Sequence, residues 1–171
     1  MIPARGELSI QSTDDGHAIA VYNPILIACF TRAPRSEELD RIRRLSAEAL
    51  AQGVRGGVLY VVARPNMSGG IDGKVRSTVE SLIQRNSGRA GNSAVVVLTP
   101  GLGGSIVRGA LAGLVLLTAN RRSLQVFPAV DRACAWLAQM HTIDSANLLR
   151  AYQRVTAHLT MPVSSSGPPS P

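Results

Sequence analysis

Two glycine-containing loops are the places in this chain where residue type and spacing suggest ligand binding. The segment Gly101-Leu102-Gly103-Gly104-Ser105 separates an apolar run from an amphipathic stretch. Backbone N–H groups at such a strand-to-helix junction can hold a phosphate. The segment lacks both the Gly-x-Gly-x-x-Gly spacing and the Gly-Lys-Ser/Thr ending, and a tight turn with positive φ explains its glycines equally well. Gly103, Gly104 and Ser105 are therefore candidate ligand residues, and phosphate binding stays an alternative.

The second loop follows the apolar run at residues 57–63 and contains Ser68, Gly69 and Gly70. In open α/β sheets, ligands usually bind beyond the carboxyl ends of the strands, where this loop is expected. A phosphate group on Ser68 would meet the positive end of the following helix. A serine in an ordinary surface loop explains the same pattern, so both interpretations remain open.

Residues that could bind a metal ion or act as acid–base catalysts are few and scattered. His17, His141 and His158 show no metal-binding spacing, and they are predicted in a turn, an interhelical connection and an exposed helix face. The chain has only 11 acidic residues, which leaves few carboxylate pairs for general acid–base catalysis. Cys29 and Cys134 lie in apolar segments and are predicted to be core residues. We therefore expect no enzymatic activity, no catalytic residue, no metal and no cofactor.

The net charge of +7 comes almost entirely from arginine, because Lys74 is the only lysine. A basic chain suggests nucleic-acid binding, but the arginines are dispersed and only 4% of the residues are aromatic. Few side chains are therefore available to stack on bases. A GC-rich genome, whose codons favour arginine over lysine, is the better explanation of the composition, and nucleic-acid binding is not expected. The amino terminus lacks the apolar segment of a signal peptide, and the longest apolar run is too short to span a membrane. We expect a soluble, cytoplasmic protein.

Apolar patterning predicts strands that alternate with amphipathic helices. A weak strand is predicted at residues 8–12, and two β-rich runs separated by Asn23-Pro24 predict a hairpin. Mostly apolar runs predict buried strands, at residues 25–30, 57–63, 93–99 and 124–130. Amphipathic spacing predicts helices, at residues 36–53, 72–86, 105–120, 131–140 and 145–159. Ser36 and Asp131 are predicted to cap the first and the fourth of these helices.

The helix predicted at residues 105–120 is apolar on nearly every side, apart from Arg108. Gly109 and Gly113 are four residues apart, a spacing that allows another backbone to approach closely. This face is a candidate homodimer interface. Packing between the sheet and the carboxyl-terminal helix explains the same pattern.

The order of elements resembles the STAS fold of the anti-sigma-factor antagonists and the related SpoIIAA-like bacterial domains. The hairpin at residues 18–30 and the ending Val126-Phe127-Pro128-Ala129-Val130, followed by Ala133, Trp136 and Leu137, carry the resemblance across residues 18–140. It implies an α/β fold with a mixed, mostly parallel sheet that begins with a β-hairpin. In such antagonists a regulatory serine or threonine, usually preceded by aspartate, is phosphorylated after the central strand. Ser68 occupies roughly that place but lacks the acidic residue before it.

The expected organisation is one STAS-like domain at residues 1–160 with an extra carboxyl-terminal helix, followed by a disordered Ser/Pro/Gly-rich tail at residues 161–171. The resemblance implies a non-enzymatic bacterial signalling or scaffolding domain that binds a protein partner, with a homodimer as one form of association. The first alternative is a small nucleotide or phosphate binder, or an enzyme, that uses residues 101–105. The second is a basic nucleic-acid-binding protein.

Overall fold

The computed structural model describes residues 3–32, 34–63, 91–98 and 123–160. Within these ranges the chain forms six strands and three helices. The strands are β1 (Leu8–Thr13), β2 (His17–Tyr22), β3 (Ile25–Phe30), β4 (Gly57–Ala63), β5 (Ser93–Leu98) and β6 (Leu124–Phe127). The helices are α1 (Ser36–Ala51), α2 (Val130–His141) and α3 (Ser145–Thr160).

All six strands belong to one mixed sheet, in the order β1-β2-β3-β4-β5-β6. The pairs β1–β2 and β2–β3 are antiparallel, whereas β3–β4, β4–β5 and β5–β6 are parallel. The predicted hairpin is confirmed, since Tyr22 pairs with Ile25 across Asn23-Pro24, and the peptide bond before Pro24 is cis. The prediction of an α/β fold with a mixed sheet is therefore correct.

The two faces of the sheet contribute to two separate cores. One face packs against α2 and α3 and includes Ile27, Val61 and Val96 together with Leu137 and Val155. The other face carries Ile19, Leu26, Phe30 and Tyr60, which pack against Ile42 of α1. Every residue of β3 is buried, which explains why the strand is apolar throughout. Cys29 and Cys134 are both buried and free, as core residues are expected to be.

The last strand is shorter than predicted. β6 ends at Phe127, the residue that pairs with Val96, and Val130 already belongs to α2. Pro128 has a fixed φ and no amide hydrogen for the ladder, so the strand stops before it.

Both predicted helix caps are wrong by one or two positions. Ala129, not Asp131, is the N-cap of α2, and Asp131 lies in the first turn, where its charge complements the helix dipole. The N-cap of α1 is Arg35 rather than Ser36. The amide of Arg35 donates to Glu38 Oε2 over 2.7 Å, so a carboxylate from within the helix satisfies this amide at the helix start.

Candidate functional site

A cluster of polar side chains lies where the β1–β2 turn, the end of β3 and the first turn of α1 meet. Its members, which we call the His17 cluster, are Ser12, Asp14, His17, Arg32 and Glu38. The cluster lies beyond the carboxyl end of β3, the edge at which open α/β sheets usually bind ligands.

A β-bulge in β1 brings Ser12 to the same face of the sheet as His17. Ile10 pairs with Ala20 and Ser12 pairs with Ile19, so Gln11 is the extra residue. Strict alternation would direct Ser12 to the face of Ile10, which packs against the core under α2 and α3. Because the bulge reverses that direction, Ser12 Oγ lies 2.8 Å from His17 Nε2. Bulges often re-aim a side chain in this way.

Asp14 closes the β1–β2 turn with its own carboxylate. Asp14 Oδ1 accepts hydrogen bonds from the amides of Gly16 and His17, each over 2.7 Å, a pattern common for aspartate in turns. The same oxygen lies 2.8 Å from His17 Nδ1. Desolvation raises the pKa of Asp14, but these two amides and the charges of His17 and Arg32 lower it below its ordinary value overall.

Arg32 pairs with both carboxylates of the cluster. Its guanidinium donates to Glu38 Oε1 over 2.5 Å, to Glu38 Oε2 over 3.0 Å and to Asp14 Oδ2 over 3.2 Å. Burial raises the pKa of Glu38, but the bonds from Arg32 and from the Arg35 amide lower it overall. Gly16 makes room for this arrangement, since a Cβ at that position would collide with Arg32 Nε.

His17 is the least satisfied member of the cluster. The residue is 7% exposed, and its Nδ1 lies 2.8 Å from Asp14 Oδ1 and 3.1 Å from Glu38 Oε1. Neither contact has the alignment of a hydrogen bond. A buried ring nitrogen therefore faces two carboxylate oxygens without a hydrogen-bond partner.

A hydroxyl, an imidazole and a carboxylate in this order also occur in activated serine nucleophiles. In such sites the carboxylate receives a well-aligned hydrogen bond from Nδ1 and so orients the ring. Here His17 Nδ1 is misaligned, and Arg32 engages both Asp14 and Glu38. This geometry does not favour Ser12 as a nucleophile.

A groove lies at the opposite end of the parallel strands, around the cis bond before Pro24. Two adjoining recesses share Asn23, Pro24, Val54 and Gly91, and the wider one has a volume of about 900 Å³. Leu50 borders the first recess and Met140 the second. These two, at 43% and 47% exposure, are the most exposed large hydrophobic side chains in the described part of the chain. We call this surface the Pro24 groove.

The charged residues of the Pro24 groove are all basic among the residues that the structure describes. Arg43 lines the first recess, and Arg5 and Arg55 line the second. Arg5 donates to the carbonyls of His141 and Thr142 at the end of α2, over 3.1 and 3.0 Å. His141 Nε2 is buried without a hydrogen-bond partner. Burial lowers the pKa of His141, and a hydrogen bond with the Arg55 backbone acts in the opposite direction.

The sequence-predicted site residues are not part of either feature. The loop residues Ser68, Gly69, Gly70, Gly103, Gly104 and Ser105 lie outside the described residues, as do the interface residues Arg108, Gly109 and Gly113. The prediction that His17 lies in a turn is wrong: it is the buried first residue of β2. His141 ends α2 rather than following it, and His158 is exposed on α3 as predicted.

The His17 cluster was not predicted because its five members come from five successive segments: β1, the β1–β2 turn, β2, the segment after β3, and α1. The one local signal was alternation, since His17 continues the spacing of Ile19 and Val21 along one strand face. The signal was weak beside Asp14-Asp15-Gly16, which indicates a turn.

Comparison with protein-family models, with curated proteins and with solved structures finds no match for this chain. None of the described helices is both long enough and apolar enough to cross a membrane. The described part of the chain has an α/β fold built on a six-stranded mixed sheet.

Proposed function

We propose that the protein is a non-enzymatic signalling or scaffolding domain of the STAS-like type, and that it binds a partner protein through the Pro24 groove. The observation that carries this proposal is the composition of that groove. Leu50 and Met140 border it, Arg5, Arg43 and Arg55 line it, and no acidic side chain is among its described lining residues. The antiparallel start of the sheet, followed by parallel strands, supports the fold part of the proposal.

The groove suits an acidic segment of a partner that also presents an apolar side chain. Arginines attract and orient an acidic partner, and exposed hydrophobic side chains supply the area that is desolvated on binding. Methionine adapts to partners of different shape because it is unbranched and polarisable. The net charge of +7 over the whole chain favours the same class of partner.

The His17 cluster supports a structural rather than a catalytic role for its ionised groups. Arg32 binds both carboxylates, and Asp14 Oδ1 is also bound by two backbone amides. A general base needs a carboxylate or an imidazole that is free to take a proton from substrate. The acidic members of the cluster are instead used to join the β1–β2 turn to α1.

A fluorescent peptide of alternating glutamates and leucines tests the groove, with a lysine–leucine peptide of equal length as the comparison. We expect the acidic peptide to bind and the basic peptide not to bind. Arg55→Glu and Met140→Glu should each weaken binding about tenfold or more. Arg132→Glu is the control matched to Arg55→Glu, since it makes the same charge change at an exposed position of α2 outside the groove. Equal binding of both peptides, or indifference to the two groove variants, would contradict the proposal.

Self-association through Gly109 and Gly113 and phosphorylation of Ser68 stay predictions. Sedimentation at tens of micromolar tests the dimer, and a monomer at that concentration would refute it. Intact-mass measurement of protein from its native cells, compared with Ser68→Ala, tests the phosphate.

A further inference from the structure

We propose that Asp14, His17 and Glu38 bind a divalent transition-metal ion of the zinc type. The unpartnered Nδ1 of His17 carries this inference. It belongs to a side chain that is 8% exposed, and it faces one oxygen of each carboxylate. Imidazole nitrogen together with carboxylate oxygen is a donor set that zinc accepts. The proposal is independent of peptide binding at the Pro24 groove.

The spacing of the three donor atoms fits one ion. His17 Nδ1 lies 2.8 Å from Asp14 Oδ1 and 3.1 Å from Glu38 Oε1, and all three atoms lie within 4.8 Å of one another. Tetrahedral bonds to zinc of about 2.0–2.2 Å place neighbouring ligand atoms roughly 3.3–3.6 Å apart, somewhat farther than the two contacts to Nδ1. To admit the ion, each carboxylate oxygen would have to move away from His17 Nδ1.

In one tautomer of His17, the contact with Ser12 leaves the imidazole in the form that metal binding requires. Ligating histidines commonly direct their second ring nitrogen at an oxygen, which fixes the tautomer and the ring orientation. His17 Nε2 is 2.8 Å from Ser12 Oγ, so Nε2–H can donate to the hydroxyl and leave the lone pair on Nδ1. In that tautomer the lone pair and two carboxylate oxygens repel one another unless a cation lies between them.

Arg32 competes with the ion for Glu38 Oε1, and the amides of Gly16 and His17 compete with it for Asp14 Oδ1. When His17 is neutral, the two carboxylates carry two negative charges and Arg32 one positive charge, so one negative charge remains for a bound cation to offset. Arg32 occupies Glu38 Oε1, one of the proposed donors, and would have to release it when the ion binds. Its side chain is 27% exposed, and its contacts with Asp14 Oδ2 and Glu38 Oε2 can persist.

The test is calorimetric titration of the chelator-treated full chain with zinc chloride, with the visible absorption of added cobalt as a second readout. We expect one ion per chain. His17→Gln and Glu38→Gln should each weaken binding about tenfold or more. Asp14→Asn keeps an oxygen for the two turn amides but removes the charge, and it should also weaken binding. His158→Gln removes an exposed histidine and should change nothing.

Arg32→Gln separates a metal site from a purely structural ion-pair cluster. Removal of the competing cation should tighten zinc binding, although it weakens the link between the turn and α1. Absence of zinc binding at one ion per chain in the wild type would overturn the proposal, as would binding that survives His17→Gln and Glu38→Gln. If either of those variants fails to fold by circular dichroism, Asp14→Asn and Arg32→Gln decide: weaker binding in the first and tighter binding in the second are both required.

Discussion

Ser12 Oγ and His17 Nε2 lie 2.8 Å apart across the first strand pair, although regular alternation in β1 would place the two side chains on opposite faces. The extra residue Gln11 reverses the direction of Ser12 after Ile10. A bulge at the end of an edge strand therefore builds the contact on which the His17 cluster depends.

We expect Ser12→Ala to destabilise the protein by about 1–3 kcal/mol, because it removes the hydrogen-bond partner of a buried ring nitrogen. Chemical denaturation monitored by circular dichroism measures this change. Ser9→Ala is the control on the same strand. The Ser9 hydroxyl accepts a hydrogen bond from the partly buried side chain of Gln11, so its loss leaves no buried ring nitrogen without a partner. Equal losses for the two variants would show that the Ser12–His17 contact contributes nothing specific.

Arg32→Met should lower the free energy of unfolding by about 3 kcal/mol, because it leaves Glu38 buried without its cation. This value lies in the lower part of the range for breaking a buried ion pair. The side chain of Glu38 is 8% exposed, whereas that of Arg32 is 27% exposed. Arg43→Met provides the matched control, since Arg43 pairs with Asp40 at the surface over 3.3 Å. This substitution should lower the free energy of unfolding by less than about 1 kcal/mol. Similar losses in urea denaturation of the two variants would contradict the role assigned to Arg32.

Acid should destabilise the protein through His141. Because burial lowers the pKa of His141 in the folded state, the unfolded chain takes up a proton at this residue before the folded chain does. The free energy of unfolding is therefore highest above the ordinary histidine pKa of about 6.5 and declines as the pH falls through that value. When the pH is lowered from neutral to mildly acidic, the melting temperature of the wild type should fall further than that of His141→Gln. An equal fall in the two proteins would contradict the role assigned to His141.

Cys29 and Cys134 should be inert toward thiol reagents in the native protein. Burial raises the pKa of each thiol to about 12, and the thiolate is the reactive form. Ellman's reagent at mildly alkaline pH should detect no rapidly reacting thiol in the native chain and two in denaturant. Fast stoichiometric labelling of native protein would show that at least one of these residues lies outside the core.

Val96→Asp should unfold the domain or nearly so. Val96 is fully buried in β5, between β4 and β6, and an unpaired buried carboxylate costs several kcal/mol against a total stability of about 5–15 kcal/mol. Val96→Thr introduces a polar but uncharged group at the same position, and it should destabilise the domain less than Val96→Asp. Soluble Val96→Asp protein with a cooperative melt close to the wild type would contradict the central position of β5.

Local apolar patterns were sufficient to predict most of the sheet and the two carboxyl-terminal helices. β3 is apolar at all six positions and is buried at all six, because a strand covered on both faces has no position for a polar side chain. The spacing of Leu148, Tyr152 and Val155 likewise predicted the face on which α3 packs against the sheet. Each of these patterns reports burial of residues that are close in sequence.

The polar sites depended on contacts that apolar patterns do not report, even where the partners are close in sequence. Arg32 meets Glu38 and Asp14 only after α1 has packed beside the β1–β2 turn. Ser12 meets His17 only because of a one-residue shift in strand register. A one-residue shift reverses the face of every following side chain, and no local pattern specifies it. The Pro24 groove could not be predicted from local patterns either, since Arg5 contacts the end of α2 only when the sheet and the helix have packed together.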